Sequence, residues 1–210
     1  MEDVLTVYEQ PYDEAYPQVC LDEKLVTLHG DVVDPLPVKP GYPQRVDYEY
    51  ERVGTANLFV MVERLSGYRH VEVTQRRTAV DYAHQLQWLA DVRYPQAKKI
   101  RLVQDNLNTH RLATLYLVFP PDEARRLTER FEVHYTPPHA SWLNMAEIEI
   151  SIFERGCLRQ RVPNLEVLRL RVSALEAERN AAHATITWRF TTGDARFRLA
   201  RLYPKLEPTA

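Results

Sequence analysis

Cysteine is scarce in this chain of 210 residues: there are two, Cys20 and Cys157, each among apolar neighbours. Two isolated cysteines offer neither a disulfide framework nor the ligands of a structural zinc site, so they read as buried thiols of a reducing compartment. Long apolar runs are missing too. None approaches the roughly 20 residues that a membrane-spanning helix needs. Residues 1–16 are acidic and polar, which excludes a secretory signal and reads as a loose leader broken by Pro11 and Pro17. No internal repeat and no low-complexity tract occurs.

Net charge is also small, at −2, and by itself points to no partner. Its distribution is uneven. Residues 1–50 hold three Lys/Arg against eleven Asp/Glu, whereas residues 151–210 hold eleven against six. The basic end carries Arg159, Arg161, Arg169, Arg171, Arg189, Arg196, Arg198 and Arg201, which could face phosphate or simply solvate helices.

The apolar pattern predicts strands over 18–30, 55–63 and 68–74, the last two joined by the turn Leu65-Ser-Gly67 as an antiparallel hairpin. The proline-rich stretch 34–43 between the first two reads as a surface loop. Spacings of three and four predict a helix over 78–92. A short strand, 99–104, follows, then helices over 109–119 and 122–130, and a last strand, 131–135. Helices are expected over 146–158, 164–183 and 194–202. The stripe Leu165, Leu168, Val172, Leu175 reads as core packing. Strands first and alternation later make an α/β protein with a mixed sheet covered by helices.

Three acids stand out in Val-Cys-Leu-Asp22-Glu-Lys, Arg-Leu-Val-Gln-Asp105-Asn and Trp-Leu-Asn-Met-Ala-Glu147-Ile. Asp22 and Asp105 follow apolar strands, and strand ends are where α/β sheets gather ligands. A buried carboxylate is unfavourable unless it is paired or metal-bound. Each acid also has a structural reading. Asp22 could cap a turn, and Asp105 could start an Asx turn or cap a helix. Asn144 as N-cap would place Glu147 at N3 in a capping box, with Leu143 and Ile148 as a hydrophobic staple. Glu149 is turned about 200° from Glu147, and Glu154 shares its face about 10 Å along the helix. Three carboxylates suit Mg²⁺, which takes oxygen ligands, and two such ions can clamp an in-line phosphoryl displacement.

These motifs, together with Asp47-Tyr-Glu-Tyr-Glu-Arg52, Gly54-Thr-Ala-Asn57, Val103-Gln-Asp105-Asn-Leu-Asn-Thr-His110, Tyr135-Thr-Pro-Pro-His139-Ala-Ser-Trp-Leu-Asn-Met-Ala-Glu147 and Trp188-Arg-Phe-Thr-Thr192, resemble bacterial insertion-sequence transposases of the IS-six-thirty family, in the mariner-like superfamily. The resemblance runs from about residue 17 to Pro204. It implies a ribonuclease-H-like fold over 17–160, with 161–210 a basic helical extension. It also implies a catalytic triad of Asp22, Asp105 and Glu147 holding two Mg²⁺ (or Mn²⁺) ions. Asp22 and Asp105 would share one ion, and Asp22 and Glu147 the other. Asn106, Asn108, His110, His139 and Asn144 would assist, and Lys98, Lys99, Arg101, Arg159, Arg161, Arg196, Arg198 and Arg201 would hold DNA phosphates.

The implied partners are the terminal inverted repeats of the element, target DNA and a second copy of the chain, in a prokaryotic cytoplasm. Transposases of this kind carry N-terminal helix-turn-helix modules. None precedes the first strand here, so the chain reads as a catalytic core alone: a truncated copy, an isolated piece, or the second frame of a split element, and in that last case a separate helix-turn-helix protein would be a further partner. Two other readings stay open: a catalytically inactive DNA-binding remnant, and a nuclease that cuts without joining.

Overall fold

The structure is a computed structural model that describes residues 1–203, apart from 34, 38, 43, 44 and 46. Asp34, Val38 and Pro43 of the expected proline-rich loop, and residues 204–210 of the expected extension, lie outside the described residues.

The expected mixed sheet forms. Strands β1 (Gln18–Asp31), β2 (Tyr50–Glu63), β3 (Tyr68–Thr74), β4 (Ile100–Gln104) and β5 (Phe131–Tyr135) lie in the order β3-β2-β1-β4-β5. The first three run antiparallel to one another, while β1–β4 and β4–β5 are parallel. This is a ribonuclease-H-like sheet, flanked by helices on both faces. The inner half of β2, from Asn57 to Glu63, is buried throughout. That matches its unbroken apolar run, since a strand covered on both sides has no solvent face to keep polar.

The two-residue period of the strands sorts the core into faces. Val19, Leu21, Phe59, Met61, Ile100 and Leu102 pack under α2 (Ala79–Trp88) and the short helices α3 (Leu115–Val118) and α4 (Pro121–Glu129). Leu58, Val60, Val71 and Val73 pack against α5 (Ala146–Gly156) and α6 (Leu165–Ala181). Cys20, Val62 and Val103 meet the start of α5 and a helix at the N-terminus. In α6 the stripe is core packing as expected, with Leu168 and Val172 buried and Leu165 and Leu175 partly so. Both cysteines are buried free thiols.

Three local expectations are corrected. Residues 2–9 are not a loose leader but α1 (Glu2–Glu9), whose Val4, Leu5, Val7 and Tyr8 are buried. An eight-residue helix is marginal in isolation, so tertiary burial decides it. The helix expected over 109–119 shrinks to a 3₁₀ turn, Leu112–Thr114, and the four residues of α3. The last helix, α7 (Thr192–Arg198), begins earlier than expected on a capping box between Thr191 and Asp194, and it packs on α1.

Candidate active site

The sheet register brings two of the predicted acids together. Cys20 of β1 stands opposite Val103 of the parallel β4. The ladder ends there, two residues short of Asp22, which lies within β1, and of Asp105, which directly follows β4. By alternation with Cys20, Asp22 projects from the face that α5 covers. Glu147 enters from the first turn of α5, over the same face.

The expected capping box around Glu147 does not form. Asn144 is not the N-cap of α5, and Met145, which is, makes no side-chain cap bond. The Asn144 Nδ2 instead donates to the backbone oxygen of Leu21 at 2.8 Å and to Asp22 Oδ2 at 3.2 Å. Its Oδ1 accepts from the Ala146 backbone N–H at 3.1 Å. The staple is absent as well, because Leu143 is buried while Ile148 is exposed. A single buried amide therefore ties the start of α5 to the strand that carries Asp22. Glu149 is taken up elsewhere, in a buried pair with Arg69 and Arg179, and Glu154 pairs with Lys24.

Asp22 is electrostatically frustrated. Burial pushes its carboxyl up to about 7, the backbone N–H of Glu23 opposes this, and the charges of Glu147 and Asp105 raise it further. Among the described residues no three His, Cys, Asp or Glu side chains stand close enough to hold a metal ion as they are placed. The fit to a cation rests on donor chemistry and charge. Three carboxylates that repel one another across a half-buried site are what a hard divalent cation such as Mg²⁺ or Mn²⁺ relieves.

His110 is fully buried behind this site and stacks on Tyr82 with ring centroids 4.9 Å apart. Its Nδ1 meets Asp105 Oδ1, and its Nε2 meets Glu23 Oε1 at 2.9 Å. Burial disfavours the charged ring, but the hydrogen bonds to Asp105 and Glu23 outweigh it and push the imidazole up to about 9. The His110 carbonyl oxygen accepts from Gln104 Nε2 at 2.8 Å and from the Tyr135 hydroxyl at 3.1 Å, so the backbone is held too. Glu23 is the residue that sequence reasoning passed over. It adjoins Asp22, but its partner lies 87 positions away.

The remaining predicted residues scatter. Asn106, Asn108 and His139 are exposed, and His139 has a positive φ of 60°. Lys98 and Lys99 just precede β4 and Arg101 is near its start, at the far end of the strand from Asp105. Arg101 packs over Tyr16 and faces Glu132. Arg161 is committed to Asp31 and to the carbonyl oxygens of Asp47, Tyr48 and Glu49. Arg159, Arg196, Arg198 and Arg201 are all exposed, with Arg196 paired to Glu2 and Arg198 facing Asp194 at 3.7 Å.

A mixed sheet in this order, with Asp22 just past the stretch of β1 that pairs with β4 and Asp105 just past β4, has the fold of the ribonuclease-H-like class. Within that class, residues 17–169 match the DDE superfamily endonucleases, and the chain belongs to that family. Among solved structures it is similar to the Mos1 strand transfer complex, with a TM-score of 0.57 and 17% identity over 86% of this chain and 54% of that one. It is also similar to the Mos1 mariner paired end complex with Mn, with a TM-score of 0.52 and 19% identity over 81% and 52%. The chain thus spans about half the length of the Mos1 chains it matches. At these identities the likeness is one of fold. No curated protein matches. Among the described residues no helix is long and apolar enough to cross a membrane.

Proposed function

We propose that this chain is the catalytic core of a DDE transposase, a metal-dependent polynucleotidyl transferase that cuts and joins the DNA strands of a bacterial insertion sequence of the IS-six-thirty family. Asp22, Asp105 and Glu147 are its proposed catalytic residues and metal ligands. The observation that carries this reading is the position of Asp22: its charge is opposed by those of Asp105 and Glu147, on the face of the sheet where α5 begins. Family membership and the fold of Mos1 support it.

Two Mg²⁺ or Mn²⁺ ions at these carboxylates would supply the positive charge that activates the attacking oxygen and stabilises the leaving one. The chain's own part is positional. Asn144 donates to Asp22 and ties the start of α5 to β1, a tether that would let Glu147 close on the acids of the strands when a cation is bound. Exposed Arg159, Arg198 and Arg201, with Lys98 and Lys99, would hold phosphates, and binding would weaken steeply with salt. Mos1 has been captured as a paired end complex and as a strand transfer complex. By analogy, this chain is proposed to act as a homodimer on terminal inverted repeats and target DNA in a prokaryotic cytoplasm. Helix-turn-helix modules, in a partner or elsewhere in a longer chain, would select the repeats. Residues 17–160 are the proposed catalytic domain, and 161–210 a basic extension.

The test is nicking and joining of a terminal-repeat duplex in Mg²⁺ or Mn²⁺. Wild type is expected to cut and join, and Asp105→Asn to do neither. Unchanged metal-dependent cutting by Asp105→Asn would remove the triad assignment. Cutting without joining would leave a nuclease.

A further inference from the structure

The two-residue alternation of β1 separates neighbouring carboxylates. Asp22 faces α5, and Glu23, one residue on, faces the opposite side with Leu21, under α2. There Glu23 is nearly inaccessible, with its side chain 4% exposed, and it meets two positive or donor groups: His110 Nε2 at 2.9 Å and Arg77 at 3.8 Å. His110 lies on that side as well. Tyr82 of α2 stacks on it, Gln104 and Tyr135 hold its carbonyl oxygen, and its Nδ1 meets Asp105, just past the end of β4. Glu23 thus points away from Asp22, its neighbour among the predicted metal-binding acids. A histidine that spans from it to Asp105 can set where that acid points.

We propose that His110 and Glu23 are positioning residues for a divalent-cation site: His110 fixes Asp105 by holding its Oδ1, leaving Oδ2 for the cation, and Glu23 fixes His110 from the far face of the sheet. This rests on the reading of Asp22, Asp105 and Glu147 as the metal-binding acids. Outer partners of this kind orient a ligand and hold it against thermal motion. Their loss typically weakens metal affinity or activity by roughly 10–100-fold.

The two ring nitrogens permit a clean dissection. In His110→Asn the amide nitrogen takes the place of Nδ1 and keeps the bond to Asp105. In His110→Gln it takes the place of Nε2 and keeps only the bond to Glu23. Both variants are neutral and of similar size. Mn²⁺ binding to the full chain, read from the free-ion electron paramagnetic resonance signal, is expected to weaken by roughly 10–100-fold in His110→Gln and by clearly less in His110→Asn. Glu23→Ala is expected to weaken binding, and Glu23→Gln, whose amide oxygen still accepts from Nε2, to restore most of it. Melting temperatures, measured alongside, separate metal affinity from folding.

Equal losses in His110→Asn and His110→Gln would reduce the histidine to packing and overturn the proposal. Equal damage in Glu23→Gln and Glu23→Ala would make Glu23 a direct metal ligand and overturn it too. So would wild-type Mn²⁺ affinity in all four variants while wild type still cuts DNA, with the proposed function left standing. Wild type that neither binds Mn²⁺ nor cuts would instead withdraw the proposed function, and this inference with it.

Discussion

Asn144 donates to Asp22 at 3.2 Å and to the Leu21 carbonyl oxygen at 2.8 Å, joining the turn before α5 to the central strand of the sheet. The amide is 1% exposed, so no water replaces these bonds if it is removed. Asn144→Ala is expected to destabilise the protein by about 1–3 kcal/mol. It should also weaken divalent-cation binding, since Asp22 loses an orienting donor. Thermal melts with and without Mn²⁺ check both effects: the melting temperature should fall, and the metal-induced rise should shrink.

The pH dependence of the metal-free protein follows from Asp22 and His110. The Asp22 carboxyl titrates at about 7 when folded, against an ordinary value of 3.8, so between these values the folded state keeps a proton that the unfolded state has lost. Stability therefore falls as pH rises from about 4 to about 7. His110, raised from 6.5 to about 9, contributes stability that is complete below 6.5 and lost as pH rises through about 9. Melting temperature should decline across this range. Asp22→Asn should flatten the acidic part of the slope, and saturating Mg²⁺ should flatten it in wild type. A slope unchanged by Asp22→Asn would contradict the assignment.

Glu147 and Glu149 make opposite predictions although they are two residues apart. Glu149 is fully buried and bonds Arg69 at 3.1 Å and Arg179 at 2.6 Å. Removing one partner from a buried ion pair is destabilising by about 3–5 kcal/mol, which for a chain of this size lowers the melting temperature by on the order of 10 °C. Glu149→Ala should melt early. Glu147→Gln should melt within a few degrees of wild type and lose metal-dependent cutting. A reversal of the two phenotypes in melting and nicking assays would reassign the third acid.

The N-terminal helix is predicted to belong to the folding unit. Leu5 is fully buried, and the Tyr8 hydroxyl donates to the Leu143 carbonyl oxygen at 2.7 Å, one residue before Asn144. Leu5→Ala should destabilise by about 2–5 kcal/mol. Tyr8→Phe, which removes that bond and the hydroxyl's contact with Cys20 Sγ at 3.2 Å, should cost about 1 kcal/mol. Urea denaturation measures both. An effect on stability close to zero for Leu5→Ala would mean that α1 is not docked in solution.

Periodicity made much of the fold legible. The alternating or wholly apolar runs of β1 to β5 and the stripe of α6 lie where pattern alone predicts them, because one face or both faces of each element meet the core. Pattern failed where a distant contact overrode a local preference. Asn144 had every local feature of an N-cap, but its amide is drawn across to β1, 122 positions away. The helix expected from residue 109 starts late because His110 is held beside Asp105 and Glu23. In α1 the acidic surface residues masked a short buried stripe. Asp22 and Asp105 could be proposed from the apolar runs before them, although β1 continues past Asp22 to Asp31. Glu23 could not, since nothing local distinguishes it from an ordinary solvated glutamate.

The register of β1 also sets which sequence changes this family member can tolerate. Asp22 and Glu23 have exchangeable chemistry but opposite surroundings, and only the phase of the strand tells them apart. A single-residue deletion between Gln18 and Leu21 would keep every acid in the chain while turning each to the other side of the sheet. Insertions between β1 and β2, by contrast, leave that phase untouched. Length variation among natural relatives should therefore collect after Asp31 and be absent between Gln18 and Glu23.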